Sequence, residues 1–580
     1  MKYKCRCFLF VGLLIFACSN GNNNGNNNFD DSSSSNASEP NPDISSSSTP
    51  LGSSSSNGTI SPNNSSSSNI ATASSSSVSI SSSSNPSNPS SSSNATVSSS
   101  SVVNASSSGG GGSLSYGTRF EPEMLGLTPG ATIASVNLNW ISTSDNCSSS
   151  STNDGKTLVR LLNLSGGLVN TFTGTTAKGP TGRCAHKATM TGLTPNTIYK
   201  YSVSNNDKDW SYDYNYKTPP SGNVFTFAVV ADPQVTTGLQ DNNTNPKASP
   251  ATTEQGWKDI VNKIAGKEAT FILCAGDQVD GGGTYIEDEY KVFFRPEQLR
   301  NIPLTPVIGN HDLHTEYFSH FNMPNMPSSI QAYNMYSGKV GNYYYLYNNL
   351  LIVALNTGFP ETKDNIAAAI AEFKKTIEAA KAAHSGYDWL IVQHHKSTTS
   401  ISAHSADADI GFLIEGGLEK LMTDQGVDLV IAGHDHVHVM SHLMKWDDNK
   451  KYSVRSTDKG TVYLTLTTAS GIKYYPPFFI LEEGQPNAGP FTENYPVLVN
   501  GERGASNLKK ASSITSIKVD TNYIPLSTSF YVPKSNGNFF PNYTPNYTIF
   551  EVNGKTIKAT TYTSENKVIN EVTLTPKGFR

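Results

Sequence analysis

The 580-residue sequence has few cysteines, no excess of basic residues and, beyond Cys18, no long apolar run. Its formal net charge of -5 leaves no basic face of the kind that binds nucleic acid. No segment after Cys18 is long and apolar enough to cross a bilayer as a helix. Any membrane attachment would therefore have to come from a lipid anchor alone.

The first residues have the pattern of an export signal. A basic start is followed by an apolar run from Phe8 to Phe16, which is too short to span a membrane as a mature helix. The residues Ile15-Phe-Ala-Cys18 resemble a bacterial lipoprotein cleavage box, which would make Cys18 the lipidated first residue. We expect residues 1–18 to be a lipoprotein-type signal peptide and the protein to be exported and lipid-anchored at the bacterial cell envelope or surface. Ordinary secretion is the alternative.

Residues 19–113 consist mostly of serine and asparagine. They contain almost no apolar side chains to offset the entropy of ordering, so this segment is predicted to be a disordered linker. A flexible chain of this length has a root-mean-square reach of roughly 50 Å. The linker would hold the folded part away from a surface.

The remaining cysteines suggest one disulfide. Three of the six cysteines lie in the signal segment or at its end, which leaves Cys147, Cys184 and Cys274. Because an exported chain is oxidised, Cys147 and Cys184 are candidates for a disulfide, which would stabilise the fold by ~4 kcal/mol on the chain-entropy model. Cys274 is predicted to be a small buried apolar residue.

Residues 114–220 alternate between short strands and turn residues, which is typical of a small β-sandwich. The run Thr191-Gly-Leu-Thr-Pro-Asn-Thr-Ile-Tyr-Lys-Tyr-Ser-Val203 resembles the end of a fibronectin type III-like domain. More narrowly, the region is similar to the domain that precedes the catalytic unit in purple acid phosphatases. Fold alone does not decide whether this domain is a spacer or contacts substrate, and both roles stay open.

Beyond this sandwich, several apolar runs share one pattern: each predicts a buried strand and ends in residues that can bind metals. In open α/β sheets, ligands bind at the carboxyl ends of strands. The runs are Phe225–Ala231 before Asp232 and Gln234, Phe271–Cys274 before Gly276-Asp277, Leu304–Ile308 before Gly309-Asn310-His311-Asp312, Trp389–Val392 before Gln393-His394-His395, and Leu429–Ala432 before Gly433-His434-Asp435-His436.

Helical patterns lie between these strands. One helix has Trp257, Ile260, Val261 and Ile264 on one face, and two more are predicted over residues 365–383 and around residues 413–422. A hairpin around Asn553-Gly554 is predicted to extend the catalytic sheet. The fold class is therefore α/β (α+β) for residues 221–580, a two-sheet sandwich flanked by helices, with every motif on loops at one rim.

The ordered motifs Asp232, Gly276-Asp277, Gly309-Asn310-His311-Asp312, His394 and Gly433-His434-Asp435-His436 resemble the calcineurin-like metallophosphoesterase family, in particular its purple-acid-phosphatase-like branch. This resemblance implies two divalent ions, such as Mn²⁺, Fe²⁺ or Zn²⁺. Carboxylate, amide and imidazole ligands suit such ions independently of the resemblance. The expected activity is hydrolysis of phosphate esters by attack of a metal-bound hydroxide.

The resemblance also implies the role of each residue. Asp277 would bridge the ions, the second ion would take Asn310, His394 and His434, and the first would take Asp232 and His436. His394 is preferred over His395 because the family's ligand is the first histidine of such a pair. His311 would stabilise the phosphoryl group or protonate the leaving oxygen, and Asp312 could fix its tautomer.

Two residues depart from the family pattern. Gln234 stands where the family usually has histidine, and Asp280 stands where the purple branch has tyrosine. Gln234 can bind an ion only through a neutral carbonyl oxygen, so it is either a weak ligand of the first ion or a neighbour of the ligands. Asp280 could take over as a ligand. Without the tyrosine, the purple colour should be absent.

The other histidines are expected to be structural. His186 is predicted at an edge of the sandwich, while His314, His320, His384, His404 and His442 are predicted on the surface or in loops. His395, His438, Lys473 and Tyr474 could touch substrate.

The sequence as a whole predicts an exported, surface-tethered, binuclear phosphoesterase with a phosphate-ester substrate. The alternative is a non-catalytic surface binding or adhesion module whose metal site has decayed at Gln234. The enzyme is favoured because the residues that the family pattern expects are present at Asp277, Asn310, His311 and the last histidine pair.

Overall fold

The computed structural model describes residues 114–143, 147, 156–237, 249–281, 286–326, 336–400, 404, 407–474 and 544–576, together with the backbone of short strands between residues 479 and 541 and of residues 578–579. The predicted signal peptide and linker, residues 1–113, lie outside the described residues.

The first part of the structure is all-β. Its strands are β1 Arg119–Phe120, β2 Glu123–Pro129, β3 Val136–Ser142, β4 Leu158–Leu162, β5 Leu168–Thr173, β6 Thr175–Lys178, β7 Cys184–Met190, β8 Ile198–Ser204, β9 Trp210–Ser211 and β10 Tyr214–Lys217. They form a sandwich of two four-stranded antiparallel sheets, with the orders β10-β8-β4-β5 and β2-β3-β7-β6, and a short parallel pair β1-β9.

The sandwich has its own apolar core around Trp140, Val159 and Tyr201, which are fully buried between the sheets. The predicted Cys147–Cys184 disulfide is confirmed. The prediction that His186 lies at an edge of the sandwich is wrong, because His186 is fully buried. It stacks on Trp140 with the ring centroids 5.1 Å apart, and burial lowers its pKa to about 4.

The second part begins with strands and helices that alternate. The strands are β11 Val224–Val230, β12 Ile272–Cys274, β13 Leu304–Pro306, β14 Tyr343–Tyr347, β15 Leu350–Leu355, β16 Trp389–Lys396, β17 Leu429–Gly433, β18 Val439–Met440, β19 Met444–Asp447, β20 Tyr452–Arg455 and β21 Val462–Thr465. The helices are α1 Pro250–Gly266, α2 Ile286–Phe293, α3 Tyr317–His320, α4 Ile366–Ala383, α5 Ala408–Glu415 and α6 Leu418–Gln425, with 3-10 turns at Glu297–Arg300 and Asn310–Asp312.

Small strands precede a C-terminal meander. They are β22 Phe479–Glu483, β23 Pro496–Val499, β24 Leu508–Lys510, β25 Ile517–Val519, β26 Tyr531–Pro533 and β27 Phe539–Pro541, followed by β28 Asn546–Asn553, β29 Thr556–Thr563, β30 Val568–Thr575 and β31 Gly578–Phe579. The hairpin β28-β29 extends the catalytic sheet as predicted, because β28 pairs antiparallel with β11.

Two large sheets form the catalytic part. One has the order β13-β12-β11-β28-β29-β30-β31 and the other β14-β15-β16-β17-β21-β18. Strands β11 to β13 run parallel, as do β15, β16, β17 and β21. Buried side chains from both sheets, including Phe227, Phe271 and Ile391, share one core. This two-sheet arrangement flanked by helices is the predicted fold class.

Two of the three helices predicted from apolar periodicity are confirmed as α1 and α4. In α1, Trp257, Ile260, Val261 and Ile264 are all fully buried, and such burial stabilises by about 1.5–3 kcal/mol per large side chain. The single helix predicted around residues 413–422 is wrong: α5 ends before Gly416 and α6 starts after Gly417. Gly417 has φ 92°, a left-handed conformation that glycine adopts at no steric cost, and it breaks the helix there.

The sandwich packs directly on the catalytic part. Asn322 is the centre of this contact: its carbonyl oxygen accepts from Asn137 at 2.8 Å, and its side-chain amide donates to the carbonyl oxygens of Leu138 and Ala188. Residues Ser113–Arg580 accordingly form one compact unit, and the domain boundary predicted at residue 220 stays a prediction. Within the described part of the chain, no helix has both the length and the apolar character to cross a bilayer.

Candidate metal centre

The loops that follow the parallel strands of both sheets meet at one rim. Asp232 and Gln234 follow β11, Asp277 follows β12, Asn310 follows β13, and His434 and His436 follow β17. The two sheets touch here through an isolated parallel bridge between Ala231 and Thr468. Parallel strands deliver their carboxyl ends to the same edge, which explains why motifs distant in sequence come together.

Glycines make this close approach possible. A Cβ on Gly309 would overlap the carboxylate and amide of Asp277, and a Cβ on Gly433 would overlap the carboxylate of Asp232. Any side chain at either position would push a candidate ligand out of place.

The backbone at the rim is strained. Positive φ angles occur at five candidate ligands: Asp232 (49°), Gln234 (33°), Asp277 (51°), His434 (70°) and His436 (47°). This conformation is uncommon for residues other than glycine and costs on the order of 1–3 kcal/mol each, so it persists only where surrounding contacts enforce it. Such clustering is typical of functional sites.

Asp277 lies at the centre of the cluster and is 1% exposed. Its Oδ1 accepts the amide of His311 at 2.9 Å, and its Oδ2 lies 3.2 Å from Nε2 of Gln234 and 3.1 Å from Nε2 of His395. Burial acts to raise the pKa of Asp277, but the imidazoles of His395 and His311 outweigh burial and hold that pKa well below its usual range. The carboxylate is therefore ionised.

His395, and not His394, is the histidine of β16 that reaches this cluster. Nδ1 of His395 donates to the carbonyl oxygen of Ala275 at 2.9 Å, and Nε2 lies 3.1 Å from Oδ1 of Asn310. Burial acts to lower the pKa of His395, but Asp277 and Asp232 outweigh it and raise that pKa to about 9. A divalent cation bound here would displace this proton.

The expected ligand His394 is directed elsewhere. Side chains alternate between the faces of a strand, and Trp389 and Ile391 face the core between the sheets, whereas Leu390 and Val392 face the helices. His395 lies on the same face as the odd-numbered residues Trp389 and Ile391, beyond the start of a register shift between Gln393 and Lys396. His394 is buried with neither ring nitrogen bonded to a described residue, and burial lowers its pKa to about 4.

A second group of candidate ligands consists of Asp232, His436 and Gln234. Both oxygens of Asp232 accept the amide of His434, at 3.1 and 3.0 Å, and Nε2 of His436 lies 3.3 Å from Oδ1 of Asp232. Nδ1 of His436 donates to the carbonyl oxygen of Lys473 at 2.9 Å. This bond directs Nε2 toward Asp232, as the second-nitrogen bond does in many metal-binding histidines.

Two buried atoms fit a cation. Oε1 of Gln234 and Nε2 of His434 have no hydrogen-bond partner among the described residues. Burial holds the pKa of His434 well below its usual value, so its ring is neutral and one ring nitrogen carries a lone pair. The ligand atoms of Asp277, His395 and His434 all lie within 4.8 Å of one another. This donor set suits a divalent metal ion.

His311 and Asp312 separate in the structure. Nδ1 of His311 donates to the carbonyl oxygen of Asp280 at 2.6 Å, and its side chain is 25% exposed at the mouth of the site. Asp312 is fully buried and accepts the amides of Gln278 and Gly309. The prediction that Asp312 fixes the His311 tautomer is therefore wrong, because the carbonyl of Asp280 does so and Asp312 braces the loop.

Sequence reasoning missed His404. Its ring lies 4.4 Å from that of His434, its Nδ1 is 2.6 Å from Oδ2 of Asp407, and its amide donates to Asp435. His320, also expected on the surface, is fully buried against Glu287, while His438 and Tyr474 are buried.

Sequence models of two families match the chain. The family described as calcineurin-like phosphoesterase matches residues 225–438, and the family described as purple acid phosphatase, N-terminal domain, matches residues 122–218. The likeness of the sandwich to a fibronectin type III domain stays a prediction. No curated protein matches the chain.

Several solved structures are similar at low sequence identity. Purple acid phosphatase PPD1 from seeds of yellow lupin (Lupinus luteus) is 15% identical with a TM-score of 0.49, covering 78% of this chain and 74% of that chain. PhoD is 12% identical with a TM-score of 0.46, covering 79% and 92%. A dimetal phosphatase from Danio rerio is 12% identical with a TM-score of 0.33, covering 61% and 100%.

The two family matches fall on the two parts of the fold, and the phosphoesterase match spans the loops that carry Asp232, Asp277, Asn310 and His434. The chain thus carries a purple acid phosphatase N-terminal domain followed by a calcineurin-like phosphoesterase domain, and it is a metal-dependent phosphoesterase.

Proposed function

We propose that this phosphoesterase works with two divalent ions and is exported and tethered to the cell surface. The observation that carries the two-ion part is the position of Asp277. One oxygen of its buried carboxylate, Oδ2, lies 3.1 Å from Nε2 of His395 and 3.2 Å from Nε2 of Gln234, so residues of both proposed ligand sets meet at this carboxylate. A single carboxylate in that position can serve two ions.

The proposed ligands form two sets around Asp277. One ion would be held by Asn310, His395 and His434, and the other by Asp232, His436 and the Oε1 atom of Gln234. Bound ions would supply Lewis acidity to the phosphoryl oxygens and lower the pKa of an attacking water. Carboxylate, amide and imidazole donors of this kind suit Mn²⁺, Fe²⁺ or Zn²⁺.

The side chains of this chain orient and protonate the substrate. Because Nδ1 of His311 is bonded to the Asp280 carbonyl, its Nε2 is the nitrogen available to the leaving oxygen or the phosphoryl group. The His311 amide also fixes Oδ1 of Asp277. His404, held by Asp407, offers a second imidazole on the His434 side.

The activity is tested with a panel of phosphate monoesters and diesters in the presence of Mn²⁺, Fe²⁺ or Zn²⁺. We expect metal-dependent turnover that Asp277→Asn abolishes, since asparagine keeps the acceptor for the His311 amide but removes the shared charge. Circular dichroism should show the variant folded. A folded wild-type protein that binds no metal and hydrolyses no ester would instead support the non-catalytic binding module.

Export is supported by the Cys147–Cys184 disulfide, because disulfides persist in oxidising compartments. Tethering is supported by the sequence around Cys18, which lies outside the described residues. The test is fractionation of cells: the wild-type protein should sediment with membranes, and Cys18→Ser should release it. A wild-type protein found wholly in the soluble fraction would contradict the anchor.

A further inference from the structure

The ammonium group of Lys473 lies at the mouth of the metal centre. The segment before it is fixed to the site, because the hydroxyl of Thr468 donates to the carbonyl oxygen of Asp232 and accepts the amide of Gly471. Gly471 turns the chain with φ +93°. The carbonyl oxygen of Lys473 then holds His436. The Lys473 backbone is therefore held between the loops of two proposed ligands.

The side chain of Lys473 reaches across to Asp280. Nζ lies 3.5 Å from Oδ1 of Asp280, and Nδ1 of His311 lies 3.8 Å from the same oxygen atom. The Lys473 side chain is 20% exposed and that of His311 is 25% exposed, whereas Asp280 is largely covered. The two partly exposed side chains thus place their nitrogen atoms near one carboxylate oxygen.

We propose that Lys473 binds the phosphoryl group of the substrate beside His311 and determines specificity for the charge of that group. The inference rests on the function proposed above and assigns one residue to substrate selection. It also gives a role to Asp280, whose carboxylate holds the ammonium group at the rim.

The chemistry follows from the charge of phosphate esters. A monoester carries a charge of about −1.5 to −2 at pH 7, while a diester carries a single charge because a second ester group replaces one ionised oxygen. Ions in the centre would supply Lewis acidity to some of the phosphoryl oxygens. An ammonium group at the rim offers three donors to an ionised oxygen that points outward, and such charge-assisted bonds are stronger than neutral ones.

The test compares p-nitrophenyl phosphate with bis(p-nitrophenyl) phosphate, which share a leaving group. The measured quantity is the ratio of kcat/KM for the monoester to kcat/KM for the diester. We expect Lys473→Met to lower this ratio about tenfold, because methionine fills similar space without charge. Lys473→Arg should retain the ratio. The backbone bond to His436 is kept in both variants.

Lys459→Met is the matched control, since Lys459 is an exposed lysine on a surface turn. This control should leave the ratio at the wild-type value. An unchanged ratio in Lys473→Met, or an equal loss for both substrates, would overturn the proposal.

A second measurement separates binding of the phosphoryl group from neutralisation of Asp280. If Lys473 only cancels the charge of Asp280, then the double variant Asp280→Asn/Lys473→Met should recover the wild-type ratio, and that result would refute the proposal. If Lys473 binds phosphate, the double variant should keep the low ratio of Lys473→Met.

Calorimetric titration with inorganic phosphate gives a readout without turnover. In Mn²⁺-loaded protein, Lys473→Met should raise the dissociation constant of phosphate about tenfold. Failure of the proposed function and failure of the Lys473 proposal give different results. Absence of all hydrolysis in the wild type would refute the proposed function. Equal phosphate affinity in wild type and Lys473→Met would refute the role of Lys473.

Discussion

Nε2 of His395 lies 3.1 Å from Oδ2 of Asp277, while the preceding residue, His394, bonds no described residue through either ring nitrogen. This difference gives the first prediction. His395→Ala should reduce metal content and lower kcat/KM by about 100-fold or more, since even indirect partners of ligands cost 10–100-fold when removed. Metal analysis and initial rates measure both effects.

His394→Ala is the matched control, because it removes the same ring from the same strand. It should create a cavity and lower stability by roughly 2–4 kcal/mol while the metal content is retained. The assignment of His395 would be wrong if His394→Ala lost the metal and His395→Ala kept it.

The second prediction concerns Gly309, whose absent side chain leaves room for Asp277. Gly309→Ala should displace the Asp277 carboxylate, because an added Cβ would overlap it. A displacement of the order of 1 Å at such a residue costs about 100-fold in rate. Initial rates with p-nitrophenyl phosphate measure the loss.

Gly411→Ala is the control for that variant. Gly411 lies inside α5 with no atom within 4 Å of an added Cβ. Alanine there should stabilise the helix by about 0.5–1 kcal/mol without lowering the rate. Equal activity in the two variants would show that contact with Gly309 does not position Asp277.

Much of the fold was predictable because its signals are local. Apolar runs located β11, β12, β16 and β17, and apolar periodicity located α1 and α4, since each pattern is a property of consecutive residues. The break between α5 and α6 was missed because Gly416 and Gly417 stand inside a continuous apolar pattern. The burial of His186 depends on Trp140, a distant residue that only the folded sandwich brings near.

The candidate site was predictable as a set of loops but not in its geometry. Motif order located Asp232, Asp277, Asn310, His434 and His436. The choice between His394 and His395 depends on which face of β16 meets the other ligand loops, and the sequence does not show this because residues 389–392 are apolar on both faces. The approach of His404 to His434 is a tertiary contact with no local pattern.

The third prediction concerns pH and Asp428. Burial raises the pKa of Asp428 to about 7, and its Oδ2 accepts the amide of Leu390 at 2.8 Å. Its unfolded pKa is about 4. Between these values the folded protein binds more protons than the unfolded chain, so the contribution of Asp428 to stability falls as pH rises through this window.

Asp428→Asn keeps an acceptor for the Leu390 amide and stays neutral at every pH. The variant should therefore gain stability over the wild type as pH rises from 4 to 8, by about 1–2 kcal/mol after allowance for partial exposure. Denaturant unfolding at the two pH values measures this. If the difference in the free energy of unfolding between wild type and variant does not change with pH, then the pKa of Asp428 is not raised in the folded protein.

The last prediction concerns Gln234, where a neutral amide replaces the family's imidazole. Its Nε2 donates to Oδ2 of Asp277 at 3.2 Å, and its Oε1 has no described partner. A carbonyl oxygen is a weaker ligand than an imidazole for Mn²⁺, Fe²⁺ or Zn²⁺, so the ion on this side should bind more loosely than its neighbour. Gln234→His should tighten it, and histidine tolerates the positive φ of 33° better than most residues.

Metal stoichiometry during dialysis against a chelator tests this prediction. The wild type should lose one ion before the other, and Gln234→His should narrow the gap. Asp280→Ala gives the comparison. The Asp280 carboxylate is 3.5 Å from the Lys473 ammonium group, and its removal should accelerate loss of the first ion only if Asp280 is also a metal ligand. If both ions leave together in the wild type, and neither variant changes their order, then Gln234 does not weaken one half of the site and the two ions are held equally.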